Sequence, residues 1–175
     1  MSLKIILPLK KIKLNGKEVT IPKLGLKHHV LMNGVKSPNE HIKALINSIH
    51  PNLTAAESNL VLLHTLEFNG KIKGKTVKDG FNYDINDAYI CQRLEHQFNG
   101  NTFYFRSPEQ FESFTTPDDV LKTCFLRVND SEVVPDFMDM PAFVYSWADD
   151  INTSIAIKGP YGPVRGLSKI LEIFE

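Results

Sequence analysis

Near the start of the chain, Ile12 and Leu14 alternate with lysines, and Val19 and Ile21 resume the alternation after Asn15-Gly16. Period two on both sides of a dipeptide that tolerates positive φ predicts a β-hairpin over about residues 9–22. The period then changes. Ile42, Leu45, Ile46 and Ile49 fall on one helical stripe that stops at Pro51. Next, Ala55, Ala56, Leu62, Leu63 and Leu66 form one arc of a second helix, with Leu60, Val61 and Phe68 on the other side beside His64. Ser37 with Glu40, and Thr54 with Glu57, have capping-box spacing at the two starts, and Gly70 marks the second stop. A helix that is apolar almost all round belongs at the centre of a fold or inside an interface.

Residues 71–83 are polar and broken by glycines, which predicts a loop with at most a short strand. A third helix is predicted from near Asp84 to the Asn99-Gly100 stop, with Ile90, Cys91, Leu94 and Phe98 as its inward stripe. "NTFYFRS" alternates and is aromatic, hence a strand. "SPEQFESFTTPDDVLKTCFLRVN" predicts one or two short helices behind Ser107-Pro108 and Thr116-Pro117, while "CFLRV" reads as helix or strand. "DMPAFVYSWADDI" reads as a helix, "TSIAIKG" as a strand and "LSKILEIF" as a closing helix. Helices outnumber strands and do not alternate regularly with them. The expected class is α+β: an N-terminal β-hairpin, then a helix-rich body with a few short antiparallel strands. It forms a single domain over residues 1–175, with the hairpin in 1–25, the helical body in 26–106 and a C-terminal part in 107–175.

Charge narrows the function classes. Twenty basic and twenty acidic residues cancel, so no general affinity for nucleic acid or anionic membranes is expected. The distribution is uneven: residues 1–36 hold many lysines and one acid, Glu18, whereas Asp118, Asp119, Asp130, Glu132, Asp136, Asp139, Asp149 and Asp150 crowd the later part. No apolar run reaches the roughly 20 residues of a membrane span. The opening lacks a signal-peptide cleavage pattern. Two cysteines make neither a disulfide framework nor a four-ligand zinc site.

Each candidate reactive group has a structural reading beside it. His41 and His50 sit nine positions apart on one helix and face opposite sides, and His28 and His29 are adjacent and diverge. No metal and no cofactor are expected. Cys91 and His96, five positions apart on the predicted helix, diverge by about 140°. Cys91 and Cys124 both fall among apolar residues, as expected of inert core thiols. "GPYGPVRG", residues 159–166, lacks the ending of a phosphate loop and its prolines remove donors, which leaves a stiff exposed turn whose Tyr161 and Arg165 suit a protein contact. Asp118-Asp119 complements a helix start and Asp149-Asp150 a solvated terminus. "VVPDFMDMPAFVYSW" concentrates Phe137, Met138, Met140, Phe143, Tyr145 and Trp147, residue types favoured at interface centres. It is the leading candidate for a contact surface. No catalytic residue is assigned.

The stretches "LPLKKIKLNGKEVTIPKLGLKHHVLM" and "YDINDAYICQRLEHQFNGNTFYF", with the helix pair between them, resemble a family of small baseplate hub assembly proteins from T-even-type contractile-tailed phages. The likeness covers roughly residues 5–106 and is loose in the last seventy. It implies a non-enzymatic assembly subunit that binds other hub or tail proteins in the host cytoplasm and passes into the virion baseplate. Stoichiometry and oligomeric state stay open. Two alternatives stand beside it: a small cysteine-dependent hydrolase, of the γ-glutamyl peptidase type associated with such hubs, using Cys91 or Cys124 with His64 or His96; and a transient tail-assembly chaperone.

Overall fold

The computed structural model describes residues 6–34 and 37–175, the side chain of Met32 excepted. The predicted hairpin forms as β1 (Leu9–Leu14) and β2 (Lys17–Pro22), in antiparallel register with Ile12 opposite Val19. Gly16 takes the positive φ that the turn demands. One face buries Ile12, Leu14, Val19 and Ile21. The same face carries Lys10 and Lys17 at its two ends, because Lys10 pairs with Ile21 and Lys17 with Leu14. These lysines reach Glu67 at 2.6 Å and Glu57 at 2.9 Å, near the two ends of one helix. The hairpin is thus clamped lengthwise by ion pairs around an apolar middle.

That helix is α3 (Ala55–Phe68), preceded by α1 (Leu26–Asn33) and α2 (Pro38–Ile49). Both capping boxes form: Ser37 and Thr54 accept from the amides of Glu40 and Glu57, whose carboxylates accept from the two cap amides in return. As the all-round apolar pattern predicts, α3 is central. It packs against both hairpin strands, α2, and the C-terminal strand and helix, with Leu60, Val61 and Leu63 buried. His64 is buried beside them, and its Nδ1 has no partner among the described residues. Helix α1 was not among the predicted elements.

The predicted third helix does not form. Residues 71–84 make a hairpin, β3 (Lys75–Lys78) with β4 (Phe81–Asp84), around Asp79-Gly80, both at positive φ. A helical element does start at Asp84, but it is one 3₁₀ turn, Ile85–Asp87, which Asp84 caps. The chain then gives β5 (Tyr89–Ile90), β6 (Glu95–Phe98) and β7 (Asn101–Phe105). Asn99-Gly100 is a hairpin turn, with φ of 48° and 72°, and not a helix stop. The physical reason lies in the alternation of "EHQFNGNTFYF", which places His96 opposite Phe103 and lets both face one core.

Of the two possible helices after residue 106, only α4 (Pro117–Cys124) forms, and "FLRV" becomes β8 (Phe125–Val128) on the β6-β7 sheet. Residues 107–112 form a strap instead. The Arg106 guanidinium forks onto the Glu112 carboxylate at 2.8 and 2.7 Å, and the Ala55 amide donates to the Pro108 carbonyl at 3.0 Å. Beyond two 3₁₀ turns come α5 (Tyr145–Asn152), β9 (Ile155–Gly159), β10 (Gly162–Arg165) and α6 (Leu167–Phe174). The expected strand and closing helix are β9 and α6. "GPYGPVRG" combines the end of β9, a tip at Pro160-Tyr161 and β10.

The apolar interior has two parts. One holds the N-terminal hairpin, α2, α3, β9 and α6; the other holds Phe103, Phe105, Leu121, Cys124, Trp147 and Ile151 of the β6–α5 segment. Tyr89 and Ile90 pair antiparallel with Ala156 and Ile155, so residues 91–154 leave and return at one point. The fold is α+β, as expected.

Burial pushes the His64 imidazole from its ordinary 6.5 down to about 4, with Lys10 adding to the shift and Glu67 and Asp84 opposing it. Folding therefore favours the neutral ring. Its contribution is complete above the unfolded value and is lost as pH falls from about 6.5 to about 4, because the unfolded chain takes the proton first. Urea unfolding at pH 7.5 and 4.5 should show His64→Gln removing up to about 3 kcal/mol of the wild-type pH dependence.

Candidate protein-contact surface

Two prolines shape the aromatic segment. Pro135 and Pro141 precede separate 3₁₀ turns, Phe137–Asp139 and Ala142–Val144, and of the helix predicted over "DMPAFVYSWADDI" only the part from Tyr145 is α-helical, continuing to Asn152. The first turn is capped by Asp136, whose Oδ1 accepts from the Met138 amide at 3.0 Å. The second closes through the Val144 amide and the Pro141 carbonyl at 3.0 Å. Short turns send neighbouring side chains to opposite sides.

The candidates therefore separate. Phe137 and Trp147 are core residues, each 5% exposed. Phe137 meets Phe105 and Phe125 at ring distances of 6.1 and 5.9 Å. Trp147 stacks on His96 at 4.9 Å and leans on Phe103 at 5.2 Å. Met138 is 73% exposed, Tyr145 60% and Phe143 51%, while Met140 is half-buried against the second core. Phe143 covers Phe98 and Trp147 at 5.4 and 6.1 Å.

Between α4 and the two 3₁₀ turns lies an open apolar groove of about 250 Å³. Buried Leu121, Phe137 and Val144 and exposed Met138, Pro141 and Tyr145 line it. Asp118 stands on its wall, held by Lys122 at 2.6 Å. Four of the proposed contact residues, Phe137, Met138, Met140 and Tyr145, thus meet at one groove. Tyr161 and Arg165 do not join them. Tyr161 is fully exposed at the tip of the β9–β10 hairpin, and Arg165 reaches back to Asp150 of α5 at 3.7 Å.

A second exposed apolar set was not predicted. Leu26, Val30 and Leu31 of α1 face outward, with Ile6 and Leu9 beside the hairpin end also exposed. The signal was present as Leu26 and Val30 four positions apart.

The thiols are sheltered. Cys124 is fully buried, and burial pushes its thiol up to about 11. Burial also raises Cys91, whose Sγ donates to the Thr153 carbonyl. His96 hydrogen-bonds the Arg93 carbonyl at 3.1 Å, and burial lowers its pKa. No helix joins Cys91 and His96, contrary to the prediction, and a different backbone carbonyl occupies each group.

Against known proteins, the model of the baseplate hub distal subunit family matches residues 21–174. The chain belongs to that family. The resemblance first read over residues 5–106 therefore extends through the C-terminal part, groove included. The baseplate hub assembly protein gp28 of Enterobacteria phage T4 is 55% identical over 177 residues, with 100% of each chain covered. No solved structure matches. As a hub distal subunit the protein is a bacteriophage baseplate assembly component, its partners are hub or tail proteins, and its setting is the baseplate and its assembly in the host. No described helix of this hub subunit is long and apolar enough to cross a membrane.

Burial sorts the groove residues by what their loss should do. In urea denaturation, Phe137→Ala should cost about 3–5 kcal/mol, whereas Met138→Ala should stay within about 0.5 kcal/mol of wild type.

Proposed function

We propose that this hub subunit works without catalysis and that the groove formed by Met138, Met140, Tyr145 and their neighbours is where a hub or tail protein docks. The observation that supports this most is the exposure of Met138 and Tyr145, with half-buried Met140 beside them, around a preformed apolar floor. Methionine adapts its flexible side chain to the occupant, tyrosine supplies rigid contact area, and a preformed floor reduces the cost of ordering. Phe143 extends the same surface. Tyr161 and Arg165 mark a separate contact on the β9–β10 hairpin.

Charge supports an orientation for docking. Residues 113–150 contain eight acids and two bases. A partner surface of basic character would be steered toward the groove, and association would slow as salt rises. The partner is thus a basic, apolar-tipped segment of a hub or tail protein, engaged in the host cytoplasm. The subunit remains in the finished baseplate, in contrast to a transient chaperone.

Pull-down against the other baseplate proteins one at a time identifies the partner. Tyr145→Ala and Met138→Asp should each weaken that complex at least about tenfold while leaving the urea midpoint near wild type. Unchanged affinity in both variants would remove the groove from the interface. Western detection in purified virions should find the subunit, and its absence there would favour the chaperone reading.

The non-catalytic reading has its own check. Raised thiol pKa values leave little thiolate near neutral pH. Iodoacetamide at pH 7.5 should label Cys91 and Cys124 of the folded protein at least about tenfold more slowly than in urea. A single fast-reacting thiol in the folded chain would revive the cysteine hydrolase.

A further inference from the structure

A second cavity, of about 140 Å³, lies away from the methionine groove, where the strap crosses the start of α3. Its apolar walls are Ile42, Ala55, Leu62 and Leu167. Two polar groups on its lining have no partner among the described residues: the Ser58 hydroxyl and the Gln110 side-chain amide nitrogen. Ser58 is 5% exposed. A helical serine ordinarily returns its hydroxyl to a carbonyl one turn back, and Thr65 of the same helix does so with Val61 at 2.7 Å. Ser58 does not. Unpaired buried polar atoms are rare enough to need a reason.

Beside them, Phe111 also lines the cavity and holds φ at 62°, a left-handed conformation unfavourable for a bulky aromatic. The strap that imposes it is over-determined. The Arg106–Glu112 fork, the Glu109 amide donating to the Glu112 carboxylate at 2.8 Å and the Thr54–Glu109 bridge all hold it in place. Strain kept by surrounding bonds at a cavity mouth is a feature of preorganised sites.

We infer that this cavity is a peptide-binding site: it takes one medium-sized apolar side chain of a partner segment, whose adjacent main-chain carbonyl accepts hydrogen bonds from Ser58 Oγ and Gln110 Nε2. The donor set selects the ligand. An amide N–H can only donate and a hydroxyl can donate as well as accept, so an occupant that satisfies both with one atom brings an oxygen acceptor. The volume fits a group of about benzene size. A peptide satisfies both, and the surroundings favour it over a free small molecule. On its other side Gln110 borders a polar depression lined by Lys43, Asn47, Asn52 and Glu109, whose amides and opposed charges suit the continuing main chain of an extended segment. The inference rests on the reading that the subunit works by docking peptide segments, but it concerns a different surface.

The test needs no hub protein, so its failure leaves the methionine groove untouched. Full-length, ¹⁵N-labelled protein is titrated with N-acetyl-leucinamide and followed by amide chemical shifts. Saturable shifts are expected at Ser58, Gln110 and Phe111. N-acetyl-glycinamide, which lacks the apolar side chain, should bind at least about tenfold more weakly. Ser58→Ala and, should that variant fold poorly, Gln110→Glu on the strap should each lose binding at least about fivefold with the remaining spectrum preserved. No saturable shift at these residues, equal binding of the two probes, or wild-type affinity in a folded variant would each overturn the site.

Discussion

The pairing of β5 with β9 spans only Tyr89 with Ala156 and Ile90 with Ile155, yet it decides where both cores stand. Bringing two strands together across residues 91–154 has a loop-closure cost that two residue pairs do not offset alone. The ladder is reinforced just outside itself. The Cys91 amide donates to the Ser154 carbonyl at 3.1 Å, the Gln92 side chain to the Ile151 carbonyl at 2.6 Å, and the Arg93 amide to the Asp150 carbonyl at 3.2 Å. From α3, the Asn59 side chain donates to Ser154 Oγ at 2.7 Å. With the neck fixed, Ile155 and Ile157 enter the first core while Trp147 and Ile151 stay in the second.

Local rules made the first hairpin and the α2–α3 pair legible. The Asn15-Gly16 hairpin, the two capping boxes and the central position of α3 each depend on residues close in sequence, and each formed. The stretch from Asp84 to Phe98 failed for the opposite reason. Ile90, Cys91, Leu94 and Phe98 happen to fit a helical stripe, but Ile90 belongs to a sheet whose partner lies at Ile155, and Phe98 to a hairpin turning at Asn99-Gly100. A dipeptide that can end a helix can equally close a hairpin; the alternation on its far side is what decides. The Asp79-Gly80 hairpin carried the same signal with weaker flanks, since only Val77, Phe81 and Tyr83 give it apolar character.

The proposed contact surface stands out in composition and not in direction. Residue type brought Phe137 and Met138 forward together, though one is in the core and the other in solvent. Periodicity cannot separate them, because Pro135 and Pro141 cut the segment into turns too short to have a period. The prolines themselves were visible; what they imply for each side chain depends on the Phe105 and Phe125 rings waiting beneath. The Ser58 and Gln110 cavity had no sequence signal at all, for it arises where a strap from one core crosses a helix of the other.

That crossing bears on how a subunit proposed to work by docking alone can still be specific. A groove built only of Met138, Tyr145 and their apolar floor would accept many amphipathic segments, since methionine surfaces adapt. Discrimination needs groups that penalise the wrong occupant. On the proposed reading, Asp118 on the groove wall would do this through charge, and the unpaired Ser58 and Gln110 groups would do it through desolvation, because an occupant without an acceptor leaves them unpaired. The two surfaces stand on different parts of the interior, one over the β6–α5 core and one at the start of α3. Their separation is held by the same neck that joins the cores, so a partner touching both would be measured against one fixed spacing.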